Sequence, residues 1–263
     1  MDVRVGATEV HYVEHGTGRP VLILHGAGVD HREPESCFEP MFADDSGFRR
    51  VYPDLPGMGR TAATDDIDSA EDVLGLMLQF ADRVAGAERY LLVGHSAGGY
   101  FAQAMADRRP DRVAGLALIC PLLSISGSVP AHRVLVGSDV DLGDAQFQSY
   151  FVIHTPQMLE RYDRFVAPGA RLVDETAMAR IGEHWELRSD GESTYDRPTL
   201  IVAGRWDSVV GYTAASSLAG RYPRATTAVV ADAGHALPHE QPAVLAGLMT
   251  DWLARATSDA DVT

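Results

Sequence analysis

The ten residues YLLVGHSAGG, at positions 90–99, are the most informative stretch of this chain. The first four of them are apolar, which predicts a short strand buried on both faces. Small residues follow from Ala97 to Arg109 and predict a helix. A G-x-S-x-G pattern between a strand and a helix is typical of a sharp turn that exposes a serine, here Ser96, at the end of a sheet.

The small residues of this turn explain how Ser96 could take part in a reaction. Gly94 and Gly98 leave room for the strand and the helix to approach each other closely. The start of the helix places free N–H groups and the positive end of the helix dipole beside Ser96, where they could stabilise an oxyanion.

Short apolar runs on both sides of the turn predict further strands, and helix-like stretches separate them. The strands are predicted at 9–15, 21–24, 49–53, 113–120, 199–203 and 227–230, and the clearest helices at 69–86 and 242–256. Strands that alternate with helices predict an α/β fold with a mostly parallel, doubly wound sheet. Ligands of such a fold bind where the carboxyl ends of the strands meet.

Residues 122–196 interrupt this alternation. The stretch contains scattered aromatic residues and helix-like segments such as 176–185, but no apolar run that predicts a buried strand. We therefore predict one α/β core, formed by residues 1–121 and 197–263, into which residues 122–196 are inserted as a helical cap.

Composition and charge limit the partners of the chain. Its 263 residues carry a net charge of −15 and have a pI near 4.9, which disfavours nucleic acids and anionic membranes. Two cysteines are too few for a disulfide framework, the N-terminal residues lack the apolar core of a signal peptide, and no apolar run is long enough to span a membrane. We expect a cytoplasmic protein that acts on a small molecule, and no oligomeric state follows from the sequence.

Five motifs occur in an order that resembles the α/β-hydrolase fold superfamily. They are His25-Gly26-Ala27-Gly28, the stretch DLPGMGR at 54–60, the turn at Ser96, the stretch GRWD at 204–207, and Gly234-His235. The resemblance covers nearly the whole chain outside the insertion. It implies a capped serine hydrolase, with the helical cap inserted after the sixth strand and a catalytic triad in the order Ser, Asp, His.

Position in the predicted sheet selects the acid and the base of this triad. Asp207 follows the penultimate predicted strand and His235 follows the last one, so both lie at the sheet edge that carries Ser96. We predict that His235 takes the proton of Ser96 and that Asp207 orients His235. Asp232 is the rival acid, but it precedes His235 too closely to fold back and orient it.

An oxyanion hole needs two converging N–H groups. Ala97, directly after the nucleophile, supplies one, and the resemblance implies that Ala27 supplies the other. His25 and His95 are predicted to have structural roles, whereas Asp30-His31-Arg32 either contacts polar parts of a substrate or forms a surface turn. Further candidates for substrate binding are Gly26, Trp185, Val209 and Ala236.

The predicted chemistry is hydrolysis of a carboxylic ester, thioester or lactone of a small to medium substrate through an acyl-enzyme on Ser96. The same triad could instead serve acyl transfer or a cofactor-free peroxidase, and a non-catalytic small-molecule binding protein is the third hypothesis. Dehalogenases and epoxide hydrolases have an aspartate at the position of Ser96, and the carbon–carbon hydrolases of the superfamily usually have tryptophan at the position of Ala236. Neither a metal-ligand cluster nor a nucleotide-binding glycine pattern is present in the sequence, so we predict no metal and no cofactor.

Overall fold

The computed structural model describes residues 1–42, 47–123, 127–137, 142–188 and 194–260. Its strands are β1 (Asp2–Val5), β2 (Thr8–His15), β3 (Arg19–Leu24), β4 (Phe48–Pro53), β5 (Tyr90–His95), β6 (Val113–Ile119), β7 (Thr199–Gly204) and β8 (Ala225–Val230). They form an eight-stranded sheet in the order β1-β2-β4-β3-β5-β6-β7-β8. The β1–β2 and β2–β4 pairs are antiparallel, and all pairs from β4–β3 to β7–β8 are parallel. The predicted α/β fold with a mostly parallel sheet is confirmed.

Helices connect the strands. The α-helices of the described residues are α1 (Arg32–Phe38), α2 (Ala70–Ala85), α3 (Ala97–Arg108), α4 (Ala145–Tyr150), α5 (Pro156–Arg161), α6 (Ala167–Ala170), α7 (Glu175–Gly182), α8 (Thr213–Ser217), α9 (Leu237–Glu240) and α10 (Pro242–Ala260). Short 3₁₀ turns lie at Glu39–Met41 and Leu218–Gly220, and a π-helical turn at Tyr162–Val166 joins α5 to α6. Within the described ranges, no helix is long and apolar enough to cross a membrane.

The sheet buries an apolar layer on each face because successive side chains of a strand point to opposite sides. In β3, Leu22 and Leu24 pack into the layer that contains α2 and α3. Val21 and Ile23 of the same strand pack into the layer that contains α1 and α10. Helices on both faces explain why the strands appear in the sequence as continuous apolar runs.

The seven predicted strands are all present, and their ends differ from the prediction by at most two residues. The additional strand, β1, was not predicted. It lies at the edge of the sheet and pairs with β2, and most of its residues are at least partly exposed. A half-exposed edge strand needs no apolar run, so its sequence signal is weak.

The residues between β6 and β7, here called the β6–β7 segment, contain α4 to α7. Their buried side chains Phe147, Phe151, Tyr162 and Val166 form a separate apolar cluster that also contains Val29 and Ala236 of the core. The proposed cap boundaries at 122 and 196 adjoin the stretches 124–126 and 189–193, which lie outside the described residues. The division into core and cap therefore stays a prediction.

Candidate active site

Ser96 occupies the turn between β5 and α3, and the geometry of this turn requires small neighbours. Its backbone has φ 53° and ψ −119°, a region that residues other than glycine rarely adopt. A Cβ atom added to Gly94 would lie 2.3 Å from the carbonyl oxygen of Gly98, and one added to Gly98 would lie 2.3 Å from that of Leu24. These two glycines therefore allow the close approach of strand and helix that the motif predicts.

Gly98→Ala is expected to lower the free energy of unfolding by about 3 kcal/mol, because the new methyl group overlaps backbone atoms of β3. Urea unfolding of the purified variant measures the loss. Gly247→Ala is the control, since Gly247 lies in α10 and an added Cβ meets nothing within 4 Å. If both variants changed stability equally, the close approach at Gly98 would not be the cause.

The three predicted triad residues meet at the carboxyl edge of the sheet. His235 Nε2 lies 2.9 Å from Ser96 Oγ, and His235 Nδ1 lies 2.8 Å from Asp207 Oδ2. Both hydrogen bonds form together when the ring carries its proton on Nδ1, because that N–H donates to the carboxylate while the Ser96 hydroxyl donates to Nε2. Ser96 is 9% exposed and the other two residues are more deeply buried, so the hydrogen-bonded chain runs inward from Ser96.

Asp207 is held in its charged form. Its Oδ1 accepts the N–H groups of Val209 and Val210, each at 2.9 Å, and its Oδ2 faces His235. Burial by itself raises the pKa of Asp207, but His235 and the two N–H groups outweigh burial and lower the pKa below its ordinary value. A carboxylate that stays charged at neutral pH can stabilise an imidazolium ring beside it.

The loops after β7 and β8 are in direct backbone contact, which brings Asp207 and His235 together. The Trp206 N–H donates to the carbonyl oxygen of Ala233 at 2.9 Å. A Cβ atom added to Gly204 would lie 2.2 Å from the carbonyl oxygen of Gly234. Asp207 and His235 are therefore positioned by hydrogen-bonded main chain and not by side-chain packing alone.

The predicted oxyanion hole lies beside the serine. A Cβ atom added to Gly26 would lie 3.2 Å from Ser96 Cβ and 3.7 Å from Ser96 Oγ, so the loop after β3 runs directly against Ser96. Among the described residues, no protein acceptor faces the backbone N–H of Ala27 or of Ala97. Two free N–H groups close to the serine are what an oxyanion hole requires.

A cavity of about 460 Å³ opens over Ser96. Its walls come from the loop after β3, from α4 and from the loop after β7. Gly26 and Val209, both predicted to bind substrate, line this cavity. Its volume lies within the range of small-molecule sites.

Two predicted wall residues, Trp185 and Ala236, lie outside the lining of this cavity. Trp185 stacks on Tyr100 with the ring centroids 5.8 Å apart and meets Phe101 edge-on. Ala236 is fully buried in the apolar cluster of the β6–β7 segment. The position of Trp185 depends on the path of the β6–β7 segment over the sheet, and no local sequence pattern reports that path.

Most residues of the opposite wall were not among the predicted site residues. Gln146, Ser149 and Tyr150 of α4 line the cavity. Their spacing of three and four residues places them on one face of a helix, which is the signal that could have grouped them. His132 and Ser208 also line the cavity, and His132 Nδ1 lies 3.3 Å from Ser208 Oγ.

A buried carboxylate, Glu33 of α1, lies behind the cavity wall and contacts the wall residue Tyr150. Its side chain is 1% exposed, its Oε1 accepts the Tyr150 hydroxyl at 2.7 Å, and His95 Nδ1 and His239 Nε2 each lie 3.5 Å from that oxygen. Burial raises the pKa of Glu33, but the two histidines outweigh burial and hold the pKa well below its ordinary value. Tyr150 is thereby anchored, and its ring makes a T-shaped contact with His235 at a centroid distance of 5.9 Å.

A second buried carboxylate, Glu240 of α9, joins the β6–β7 segment to the loop of the triad histidine. Its Oε1 accepts the N–H groups of Val152 at 2.6 Å and Ile153 at 3.2 Å. Its Oε2 accepts the N–H of Gly234, directly before His235, at 2.7 Å. One side chain therefore positions both the main chain next to the cavity wall and the loop that carries His235.

Glu240→Gln is expected to lower kcat about 10-fold with a smaller change in KM, because a small shift of His235 weakens proton transfer more than substrate binding. The side-chain NH₂ cannot accept a hydrogen bond, so the N–H of either Gly234 or Val152 loses its partner and the free energy of unfolding falls by about 2 kcal/mol. Steady-state kinetics and urea unfolding measure the two effects. Glu183→Gln, at an exposed site, is the control. Lost stability with unchanged kcat would contradict the positioning of His235.

His25 and His95 have protein partners that fit their expected structural roles. His25 Nε2 accepts the N–H of Leu55 at 2.9 Å. His95 Nε2 lies 3.0 Å from the carbonyl oxygen of His235, so this residue of the turn contacts the backbone of His235.

Two of the three residues of the stretch Asp30-His31-Arg32 are buried, which does not fit the solvated surface turn that the sequence offered as one alternative. Asp30 and His31 are buried and do not line the cavity. Asp30 pairs with Arg32. Asp54 accepts the N–H groups of His31 and Arg60, both at 2.8 Å, and so ties the loop after β3 to the loop after β4.

Two groups of potential metal ligands occur in the described part of the chain, His95-Cys120-His235 and His11-His31-Asp54. In the first group, both ring nitrogens of His235 are engaged within the triad. In the second group, the Asp54 oxygens accept backbone N–H groups and His11 Nδ1 lies 2.7 Å from Asp2 Oδ1. Hydrogen bonds within the chain account for both groups, and we assign no metal to either.

The chain belongs to the alpha/beta hydrolase family, whose family model matches residues 21–248. The crystal structure of an alpha/beta superfamily hydrolase from Oenococcus oeni is similar to it, with a TM-score of 0.86 and 27% identity over 94% of this chain and 96% of that chain. The ordered motifs of the sequence therefore identified the family correctly.

Curated relatives with hydrolase functions match at lower coverage. A 2-hydroxy-6-oxononadienedioate/2-hydroxy-6-oxononatrienedioate hydrolase of Paraburkholderia phymatum is 33% identical over 123 residues, which are 45% of this chain and 43% of that protein. Lipase 1 of Psychrobacter immobilis is 24% identical over 242 residues, 85% of this chain and 74% of that protein. This chain thus spans less than half the length of the first of these curated relatives.

Proposed function

We propose that this protein is a serine hydrolase that cleaves a carboxylic ester, thioester or lactone of a small to medium substrate through an acyl-enzyme on Ser96. The observation that carries the proposal is the hydrogen-bonded chain from Ser96 through His235 to Asp207 beneath a cavity of about 460 Å³. A serine hydroxyl that donates to a neutral imidazole backed by a carboxylate is activated for attack on a carbonyl carbon.

In the acylation step, Ser96 Oγ attacks the carbonyl carbon while its proton passes to His235 Nε2. The N–H groups of Ala27 and Ala97 donate to the oxyanion of the tetrahedral intermediate. Collapse of the intermediate breaks the bond to the leaving alcohol, thiol or ring oxygen, which takes the proton from Nε2. Asp207 stabilises the imidazolium that exists between these two proton transfers.

In the deacylation step, a water molecule attacks the ester carbon of the acyl-enzyme while His235 Nε2 removes one of its protons. The second tetrahedral intermediate uses the same two N–H groups. Its collapse releases the carboxylic acid and returns the proton from Nε2 to Ser96 Oγ. No cofactor takes part in this sequence, and the substrate is a small acyl compound.

The identity of two residues supports ester cleavage over other reactions of the superfamily. Ser96, and not an aspartate, is at the nucleophile position, which does not fit the alkyl-enzyme chemistry of the dehalogenases of the superfamily. Ala236 is fully buried, so no side chain at the position after the triad histidine reaches the cavity. Carbon–carbon hydrolases of the superfamily usually have tryptophan there.

Labelling with a fluorophosphonate tests the proposal, because such probes react with activated serines. Peptide mass spectrometry of the treated protein is expected to find the adduct on Ser96, and His235→Ala is expected to abolish it. His184→Ala is the matched control, since this histidine is exposed at the end of α7. If a folded protein stayed unlabelled by both this probe and the smaller diisopropyl fluorophosphate, the proposal would fail in favour of a non-catalytic binding protein.

A further inference from the structure

The cavity over Ser96 has an apolar and a polar wall, and histidines are the only titratable cations among the described residues that line it. Val29, Val166 and Val209 form its apolar part, and α4 contributes Gln146 and Ser149. Among the described residues that line it there is no arginine, aspartate or glutamate. A bound acyl chain therefore meets methyl groups, a hydroxyl and an amide.

No lysine or arginine side chain lines the cavity in the described part of the chain. The sequence contains no lysine, and the residues outside the described part of the chain include no arginine. Two arginines of neighbouring segments have other partners: Arg32 pairs with Asp30, and the Arg133 guanidinium lies 4.9 Å from the centre of the Trp206 ring. A carboxylate on a substrate would thus lose its water without gaining a guanidinium or an ammonium.

The histidines of the lining do not supply a net positive charge. Burial and the neighbouring His154 lower the pKa of His132, so its ring is neutral at pH 7. Burial lowers the pKa of His95, but the facing Glu33 outweighs burial and raises it. These two groups lie 3.5 Å apart, so their charges offset each other. His235 already faces the carboxylate of the triad.

The carboxylate of Asp207 lies directly behind the wall formed by His235. Glu33 also lies behind the walls, against the Tyr150 hydroxyl, but His95 and His239 face it and offset its charge. Asp207 is fully buried, so water screens its negative charge only weakly. An anionic group in the cavity would meet this field in addition to its loss of hydration.

In an inference that rests on the proposed function, we propose that the cavity accepts uncharged acyl groups and rejects acyl groups that carry a carboxylate or a phosphate. Its apolar side takes the hydrocarbon chain, and its amide and hydroxyl groups accommodate neutral polar substituents. Charge at the far end of the acyl chain is then the main determinant of substrate choice.

Three para-nitrophenyl esters of similar length test the inference. The hexanoate ends in a methyl group, the hydrogen adipate ends in a carboxylate that is ionised at pH 7, and the methyl adipate ends in a neutral ester. We expect kcat/KM for the hydrogen adipate to be at least about 100-fold below that for both neutral esters. Equal or faster hydrolysis of the anion would overturn the inference while leaving the serine hydrolase intact. Equally slow hydrolysis of both adipates would also overturn it, because size would then be the cause.

A new cation at the cavity should reverse the preference. Val209 is 52% exposed and lines the cavity, so a long side chain fits there. Relative to Val209→Gln, which has a neutral side chain, Val209→Arg is expected to raise the ratio of kcat/KM for the anionic ester over the neutral ester about 10-fold. High ionic strength should reduce this gain. An unchanged ratio would contradict the charge argument.

Binding to Ser96→Ala separates this inference from the proposed function. Calorimetry with methyl hexanoate and with the monomethyl adipate anion measures affinity without turnover. We expect the neutral ester to bind and the anion to bind at least about 100-fold more weakly. If this held while the wild-type protein hydrolysed neither compound, the pocket inference would stand and the proposed function would fail. Equal binding of both compounds would overturn the inference.

Discussion

Ser96→Ala is expected to lower kcat/KM for a para-nitrophenyl ester by about 10⁵-fold, because the removed Oγ is the atom that attacks the carbonyl carbon. The remaining rate would come from binding and from the oxyanion hole, which the substitution leaves in place. Steady-state kinetics with the purified variant measures the loss.

The same variant should remain folded. The substitution removes one hydrogen bond to His235 and keeps the backbone angles of the turn, so the free energy of unfolding should change by only about 1 kcal/mol. Ser258→Ala, on the exposed face of α10, is the matched control and should retain full activity. An active Ser96→Ala protein would rule out the acyl-enzyme.

Asp207→Asn is expected to lower kcat by about 10⁴-fold, and the surroundings of residue 207 explain why. The N–H groups of Val209 and Val210 both need an acceptor, so the amide oxygen must face them. The amide NH₂ then faces His235 Nδ1, which can only accept. The ring proton moves to Nε2, and the Ser96 hydroxyl loses the base that would take its proton.

Asp232→Asn tests whether the loss is specific. Asp232 is the other acid considered for the triad, and it is exposed. Its replacement should leave kcat unchanged, whereas Asp207→Asn should show the full effect in a protein with a normal circular dichroism spectrum. If the two variants lost activity equally, Asp207 would not be the acid that selects the histidine tautomer.

Local patterns were sufficient to predict the sheet and to place Ser96, Asp207 and His235 at one edge of it. The apolar run before Ser96 indicated β5, and the glycines around Ser96 indicated the turn because the main chains of β5, α3 and β3 approach too closely for a Cβ atom. Asp207 and His235 could be placed at the same edge because the carboxyl ends of parallel strands meet there. β1 escaped prediction because a half-exposed edge strand produces no apolar run.

The buried carboxylates that hold the cavity wall and the His235 loop in place could not be identified from a local sequence pattern. Glu33 lies in α1 within the stretch REPESCF, and nothing in those letters shows that its carboxylate reaches Tyr150 and His95. Glu240 likewise joins Gly234 to Val152, residues separated by most of the β6–β7 segment and two strands. These contacts join elements that are distant in sequence, so no periodicity could have identified them.

The amino-acid sequence by itself therefore determines the α/β sheet, the turn at Ser96 and the position of Asp207 and His235 at the same sheet edge. These features depend on strand burial, backbone conformation and parallel topology, which local patterns report. The cavity wall depends instead on how the β6–β7 segment packs onto the rest of the chain. In this packing, the Tyr150 ring contacts the His235 ring, and Trp185 stacks on Tyr100. The apolar and polar faces of a short helix are compatible with several positions on the sheet. The buried carboxylates Glu33 and Glu240 favour one position, because they accept hydrogen bonds from the Tyr150 hydroxyl and the Val152 N–H that would otherwise have no partner.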